Sequence, residues 1–312
     1  MPSLNEYLEQ TERFLRDAGQ RLINPLDLIE YTNRARREVA MRTQSIRILP
    51  PVTGQITAIQ VLSAGQNYTD PRVIITPPDA PSGTQPNPGG KQAVATATLI
   101  NNSIGGITLE DPGDGYFQPL VEILDPTGTG ARANALTTPL TVTQGMQEVY
   151  PFSAVPLGSF PGVSEIFAVK SISFIYMNYR YSIPVFPFSV YQAYVRIYPQ
   201  LYLYVPTAAA QFGQGVNGSL YMYPVPSSIY QMELDCFCLP IDLEDDETFE
   251  AIPKPWTDAI PYFSAHLAFL ELQNLNSAKF YLDLYDAMVH RYSAYVRPGR
   301  AINPYGRWSA FT

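Results

Sequence analysis

The chain has 312 residues, enough for one large domain or two to three modest ones. Hydrophobic residues make up 46% and charged ones only 15%, with a net charge of −8, so Tyr, Gln, Asn, Thr and Pro must cover surface where Lys and Glu are usual, as suits a protein built into an assembly. No run approaches the ~20 apolar residues of a membrane span, the opening MPSLNEYLEQTERFL lacks the apolar core of a secretory signal, and the acidic excess lies mid-chain, where a nucleic-acid grip would need a basic stripe.

The ends of the chain predict helices and the middle predicts strands. Ser3 with Glu6 three residues on is a capping-box signature, and Leu4, Leu8, Thr11, Leu15 and Ala18 recur at helical spacing up to Gly19. Asn24-Pro25 supplies an N-cap with proline at the first helical position. The helix it starts presents Leu28, Thr32, Ala35 and Val39 on one face, and Glu30 to Arg34 has the favourable i, i+4 orientation for an ion pair.

Residues 50–140 contain one frame written twice. GQNYTDPRVII (65–75) and GDGYFQPLVEI (113–123) share Gly65/Gly113, Tyr68/Tyr116, Pro71/Pro119, Val73/Val121 and Ile75/Ile123 at a constant offset of 48. The match extends back to Ile56, Ile59 and Val61 against Ile104, Ile107 and Leu109, with apolar residues two apart, as in half-buried strands. A small-residue strand follows each frame, QAVATATLI (92–100) and ARANAL (131–136), and a Pro/Gly-rich loop (77–90) interrupts the first copy. Two copies are too few for a solenoid, so this reads as a duplicated β module.

From 141 to 255 the sequence predicts an antiparallel, tyrosine-rich region with strands at 165–177, 196–205, 218–226 and 230–239. Eleven of the 22 tyrosines fall between Tyr176 and Tyr230, and tyrosine suits interfaces that are apolar on one side and hydrogen-bonding on the other. The acidic run 242–250 reads as a solvated link. Two antiparallel helices follow, one from about Asp258 and one capped by Asn276, with Tyr281, Leu284, Tyr285, Met288, Tyr292 and Tyr295 on the apolar face of the second. The fold class is therefore α+β: a helical core from 1–49 and 256–296, an inserted duplicated domain at 50–140, a β region at 141–255 and an extended tail at 297–312.

No catalytic, cofactor-binding or metal site is predicted. His266 reads as a hydrogen-bonded core histidine, and His290 as a solvated ion pair with Asp286 one turn earlier. Cys236 and Cys238 read as buried small hydrophobes. EDPGDGY (110–116) lacks calcium-loop spacing, and DPTGTGA (125–131) lacks the Gly-Lys-Ser/Thr of a phosphate loop.

The order of these elements carries a resemblance. Residues 218–274 contain a strand ending in Tyr223-Pro224-Val225-Pro226, the turn Leu239-Pro240-Ile241-Asp242-Leu243, an acidic link, and a helix with Ala259, Tyr262, Ala265, Ala268 and Leu270. They resemble the C-terminal half of bacteriophage head-to-tail adaptor proteins of short-tailed phages, and LIEYTNRARREVAMRTQSIR (28–47) is similar to the opening helix of those adaptors. The resemblance covers about two thirds of the chain, and the 50–140 insert is its departure.

It implies a structural virion protein of the phage neck, assembled in the bacterial host cytoplasm. Its partners would be a ring of identical copies, typically twelve, the portal protein, the tail nozzle or hub, and tail fibres through the insert. Genomic DNA would pass through the lumen without sequence-specific binding, and no membrane would be involved. In the implied family the strand ending in Tyr-Pro-x-Pro pairs with the next strand, and the C-terminal segment engages the portal. That assigns portal binding to Arg297, Arg300, Tyr305, Arg307 and Trp308. Gly65, Tyr68, Pro71, Gly113, Tyr116 and Pro119 are structural positions of the repeat. The competing reading is a carbohydrate- or receptor-binding β module of a virion or secreted protein. It would predict clustered exposed aromatics in 50–140, which holds only Tyr68, Tyr116 and Phe117.

Overall fold

The computed structural model describes residues 2–17, 21–79, 83–84, 86–157, 160–176, 179–197 and 204–296. The protein is α+β and divides into two compact units. One comprises Met1–Ile46, Pro161–Ser164 and the chain from Cys238 on; the other comprises Arg47–Phe160 and Glu165–Phe237.

The first unit is helical: α1 (Leu4–Leu15), α2 (Pro25–Thr43), α4 (Ile260–Glu271) and α5 (Leu275–Val296). Ser3 Oγ accepts the Glu6 N–H at 3.4 Å to start α1, and Asn24 accepts the Leu26 N–H at 3.1 Å ahead of Pro25 to start α2. α1 ends at Leu15, before the expected Gly19, because Arg16 turns left-handed (φ 57°) and donates back into the last turn. Leu15, Ile23, Leu28 and Ala268 make one buried cluster, with Leu8, Tyr31, Phe269 and Leu272 against it. α5 starts two residues earlier than Asn276 implies: Asn274 accepts the Ser277 N–H through its side chain and the Ala278 N–H through its carbonyl. Asp286 pairs with Arg42 of α2, not with His290, and no ion pair joins Glu30 to Arg34 among the described residues.

In the second unit, chain order gives β1 (Arg47–Ile48), β2 (Ile56–Gln66), β3 (Arg72–Ile75), β4 (Val94–Ile100), β5 (Ser103–Asp111), β6 (Val121–Leu124), β7 (Thr129–Thr137), β8 (Val149–Pro151), β9 (Val163–Tyr176), β10 (Tyr179–Ile183), β11 (Val185–Pro187), α3 (Phe188–Ile197), β12 (Ala208–Phe212), β13 (Ser219–Tyr223) and β14 (Gln231–Pro240). One sheet has the order β1-β14-β9-β10 and another β11-β12-β13-β8. In β14 the period of two is plain: Met232, Leu234, Cys236 and Cys238 are buried, while Glu233 and Asp235 alternate with them and bind arginines. Both cysteines are buried, and burial pushes the Cys238 thiol up to about 12, as expected of small hydrophobes.

Three expectations for 141–255 fail. Residues 188–197 form a helix where only strands were expected. Phe188, Tyr191 and Val195 give α3 a helical stripe that packs on Ala210 of β12, whose small side chain admits a close approach. Of the expected strand 196–205, residues 198–203 lie outside the described residues, and Tyr204 makes a single bridge to Pro226. The region is not wholly antiparallel, since β11 runs parallel to β12. Finally β13, which ends in the Tyr-Pro-Val-Pro turn, lies in a different sheet from β14, unlike the strand pair the resemblance implies.

Between Ile56 and Thr137, β2 pairs with β7, β3 with β6, and β4 with β5. Every pair therefore joins a strand of the first copy to one of the second. Ile59 faces Ala135 and Val61 faces Ala133; forty-eight residues on, Ile107 faces Ala97 and Leu109 faces Ala95. The extra residues that shift the ladder are Thr57 and Leu62 in β2, and Gly105 and Glu110 in β5, again at the same offset. A bulge re-aims the side chains beyond it, so matching bulges keep matching faces inward. In β3·β6, Ile74 pairs with Glu122, its own equivalent, which puts a local two-fold axis through that pair. The enclosed core is Ile56, Ile59, Ile75, Ala93, Ala95, Tyr116 and Ala135.

Candidate interaction site

The repeat residues build the turns that close this core. Gly65 (φ 63°) and Gly113 (φ 64°) take the left-handed conformation that glycine adopts without strain. A Cβ at either would lie 2.6 Å from backbone atoms and 2.6–2.7 Å from the ring of the next motif tyrosine. The Tyr68 hydroxyl accepts the Ala131 N–H at 3.1 Å, and the Tyr116 hydroxyl accepts the Ala93 N–H at 2.8 Å. Each bond crosses to the other copy. Burial pushes the Tyr116 phenol up, against the lowering effect of the Ala93 amide.

A second pair of links follows the same logic. Asp125 accepts the N–H groups of Thr69 and Asp70, and Asp79 accepts those of Phe117 and Gln118, at equivalent places two residues apart in register. Desolvation opposes the charge on Asp125. The amides of Thr127, Thr69, Gly128 and Asp70 outweigh it and hold the carboxyl below the usual carboxylate range. Pro119 is buried and Pro71 half-buried.

The helical unit contains a buried ionic network. Arg36, with no side-chain exposure, donates from Nε and Nη2 to the two oxygens of Glu250 at 2.8 and 2.9 Å, and Glu250 is equally buried. Arg36 Nη1 donates to Asn33 Oδ1 and to the Ile241 carbonyl. Asn33 in turn donates to the Leu243 carbonyl and accepts the Leu243 N–H. Tyr7 of α1 donates to Glu250 at 3.0 Å, and burial first, then the Glu250 charge, push its phenol well above the usual tyrosine range. The run 242–250 is solvated at Asp242 and from Glu244 to Glu247, as expected, but it is pinned by buried Leu243 and Glu250. Asp242 pairs with Arg37, Asp245 caps Glu247 and Thr248, Asp246 accepts from Asn5, and Glu250 is sealed in. Sequence reading missed this site because its partners stand 205 to 243 residues apart.

The sheet unit has a cleft of about 1080 Å³ with Leu49 and Phe160 exposed at its rim. Its carboxylates are already matched: Glu233 to Arg180 at 2.8 Å, Asp235 to Arg47, and Asp114 to the Thr84 N–H and hydroxyl at 2.9 and 2.6 Å. His266 Nδ1 lies 2.8 Å from the Ala278 carbonyl, so that nitrogen carries the proton and the ring tethers α4 to α5. His290 is exposed. Among the described residues no group of three or more His, Cys, Asp or Glu could hold a metal ion, and no helix is long and apolar enough to cross a membrane. Arg297, Arg300, Tyr305, Arg307 and Trp308 lie outside the described residues. No protein-family model matches this chain, and no curated protein matches it.

Proposed function

We propose that this chain is a structural virion protein, a head-to-tail adaptor that forms a ring between the portal and the tail nozzle around the DNA channel. In this reading α1, α2, α4 and α5 are the adaptor core. Residues 50–140 are a β domain inserted into it and made by duplication. The chain works by assembly rather than catalysis, its partners are copies of itself, the portal and the nozzle, and DNA slides past an acidic surface without being gripped.

The observation that carries the reading is the Arg36–Glu250 network. The two stretches that resemble adaptors, 28–47 and 218–274, are far apart in sequence. Asn33 and Arg36 of the first clasp Ile241, Leu243 and Glu250 of the second in one buried cluster. The matched registers of β2·β7 and β5·β4 support the duplication. The test is native mass spectrometry of the chain mixed with the portal protein of the same virus. A complex carrying several copies per portal ring is expected. A portal of unchanged mass beside free monomer would overturn the reading.

A further inference from the structure

The β3·β6 ribbon has one face in the core and one face bare. Val73, Ile75 and Val121 point inward. The alternate residues point outward and are exposed: Arg72 and Ile74 on β3, Glu122 and Leu124 on β6. Leu120, 70% exposed, extends this face where it bonds to the backbone and hydroxyl of Thr76. A single exposed leucine is ordinary, but three large aliphatic side chains on one short ribbon mark a contact surface.

The register fixes how these groups are arranged. Arg72 stands opposite Leu124, and Ile74 stands opposite Glu122. The two charges therefore occupy one diagonal of a rectangle, and the two aliphatic residues occupy the other. Neither Arg72 nor Glu122 is in an ion pair among the described residues.

We infer that this face docks on the same face of a second copy of the chain. Identical surfaces packed face to face share a two-fold axis in the plane between them, and each residue meets the one reflected across that axis. An axis along or across the strands would set each charge against an aliphatic side chain. An axis along the Arg72–Glu122 diagonal would set like charges together. An axis along the Ile74–Leu124 diagonal sets Arg72 against Glu122 of the second copy twice over, and sets Ile74 and Leu124 each against its own equivalent. The face is thus its own complement in one arrangement. With strands ~4.8 Å apart and alternate residues ~6.8 Å apart, that diagonal lies at ~35° to the strands. The two ribbons then cross at ~70°, close to the orthogonal class of sheet packing. A ribbon face is smaller than the ~800 Å² per partner of a stable complex. The pairing is therefore weak in dilute solution and takes hold where copies are concentrated. It goes beyond the ring reading and does not rest on it: the β module clasps copies in pairs.

The test is sedimentation of the full chain, without portal, across a concentration series. A reversible monomer–dimer equilibrium is expected. Arg72→Glu should weaken it at least ~10-fold by setting like charges together, and Arg72→Glu/Glu122→Arg should restore it. A short bis-maleimide should join two chains through Ile74→Cys or Leu124→Cys, each ~10 Å from its equivalent across the contact. Leu120→Cys, off the axis, should join far fewer. All of these positions are exposed and both native cysteines are buried, so the fold and the background are unaffected. A chain that stays monomeric at its solubility limit, a dimer indifferent to Arg72→Glu, a double reversal that restores nothing, or equal crosslinking through position 120 would each overturn the inference. None of these outcomes involves portal, so the ring reading would stand.

Discussion

The helical unit and the β module of residues 56–137 face the same problem, that of fixing long irregular links without disulfides, and they solve it with different chemistry. In the helical unit the 241–252 link is held by a fully buried ion pair, Arg36–Glu250, with Asn33 and Tyr7 completing it. In the module the turns are held by neutral tyrosine hydroxyls and by half-buried aspartates that accept backbone N–H groups. A buried ion pair loses heavily when one partner goes, because the other is left charged and dry. A neutral hydroxyl leaves only one unsatisfied amide. The helical unit should thus be brittle to single substitutions and the module graded.

The largest effect should come from breaking the pair on one side. Glu250→Ala should destabilise the helical unit by ~3–5 kcal/mol in urea unfolding. The double change Arg36→Met/Glu250→Leu should recover much of that loss, since no charge is then stranded. A single variant losing under ~1 kcal/mol would remove the contrast.

Next come the module glycines. Gly65→Ala and Gly113→Ala combine a left-handed backbone cost of ~1–2 kcal/mol with a clash against backbone that cannot yield. Their melting shifts should be alike, because the two sites are equivalent. One tolerated and one lethal substitution would contradict the shared geometry.

Smaller again is loss of a hydroxyl. Tyr116→Phe should cost ~1–3 kcal/mol by orphaning the Ala93 N–H. Tyr68→Phe should cost less, because its bond to Ala131 is only partly buried.

The smallest effect is the acid dependence of the module. The folded Asp125 carboxyl titrates below its unfolded value, which is ~3.9. Its contribution is complete above that value and fades as pH falls through it toward the folded value. Asp125→Ala should flatten this part of the stability–pH curve. An unchanged slope would show that the turn does not depend on the charge.

Legibility followed the same division. The module was readable because the same backbone demand recurs at a fixed offset: Gly65 and Gly113 must be left-handed, and Tyr68 and Tyr116 must reach an amide. Ser3, Asn24 and Pro25 were readable because capping is local. Arg36 looked like one of several arginines in a row, and nothing local distinguishes the one that meets Glu250. α3 was missed because its residues, Phe, Val, Tyr and Ile, favour strands, and packing on Ala210, Tyr221 and Tyr223 decides the outcome. The β11·β12 pairing and the separation of β13 from β14 depend on long-range contacts that no local spacing encodes.

The claim that the chain is a ring-forming adaptor is tested most directly by electron microscopy of purified portal rings, imaged alone and after mixing with the chain. The account predicts class averages with a second ring layer stacked on the portal, built from copies of this chain. Portal rings that stay bare at saturating protein, with the chain monomeric beside them, would contradict it.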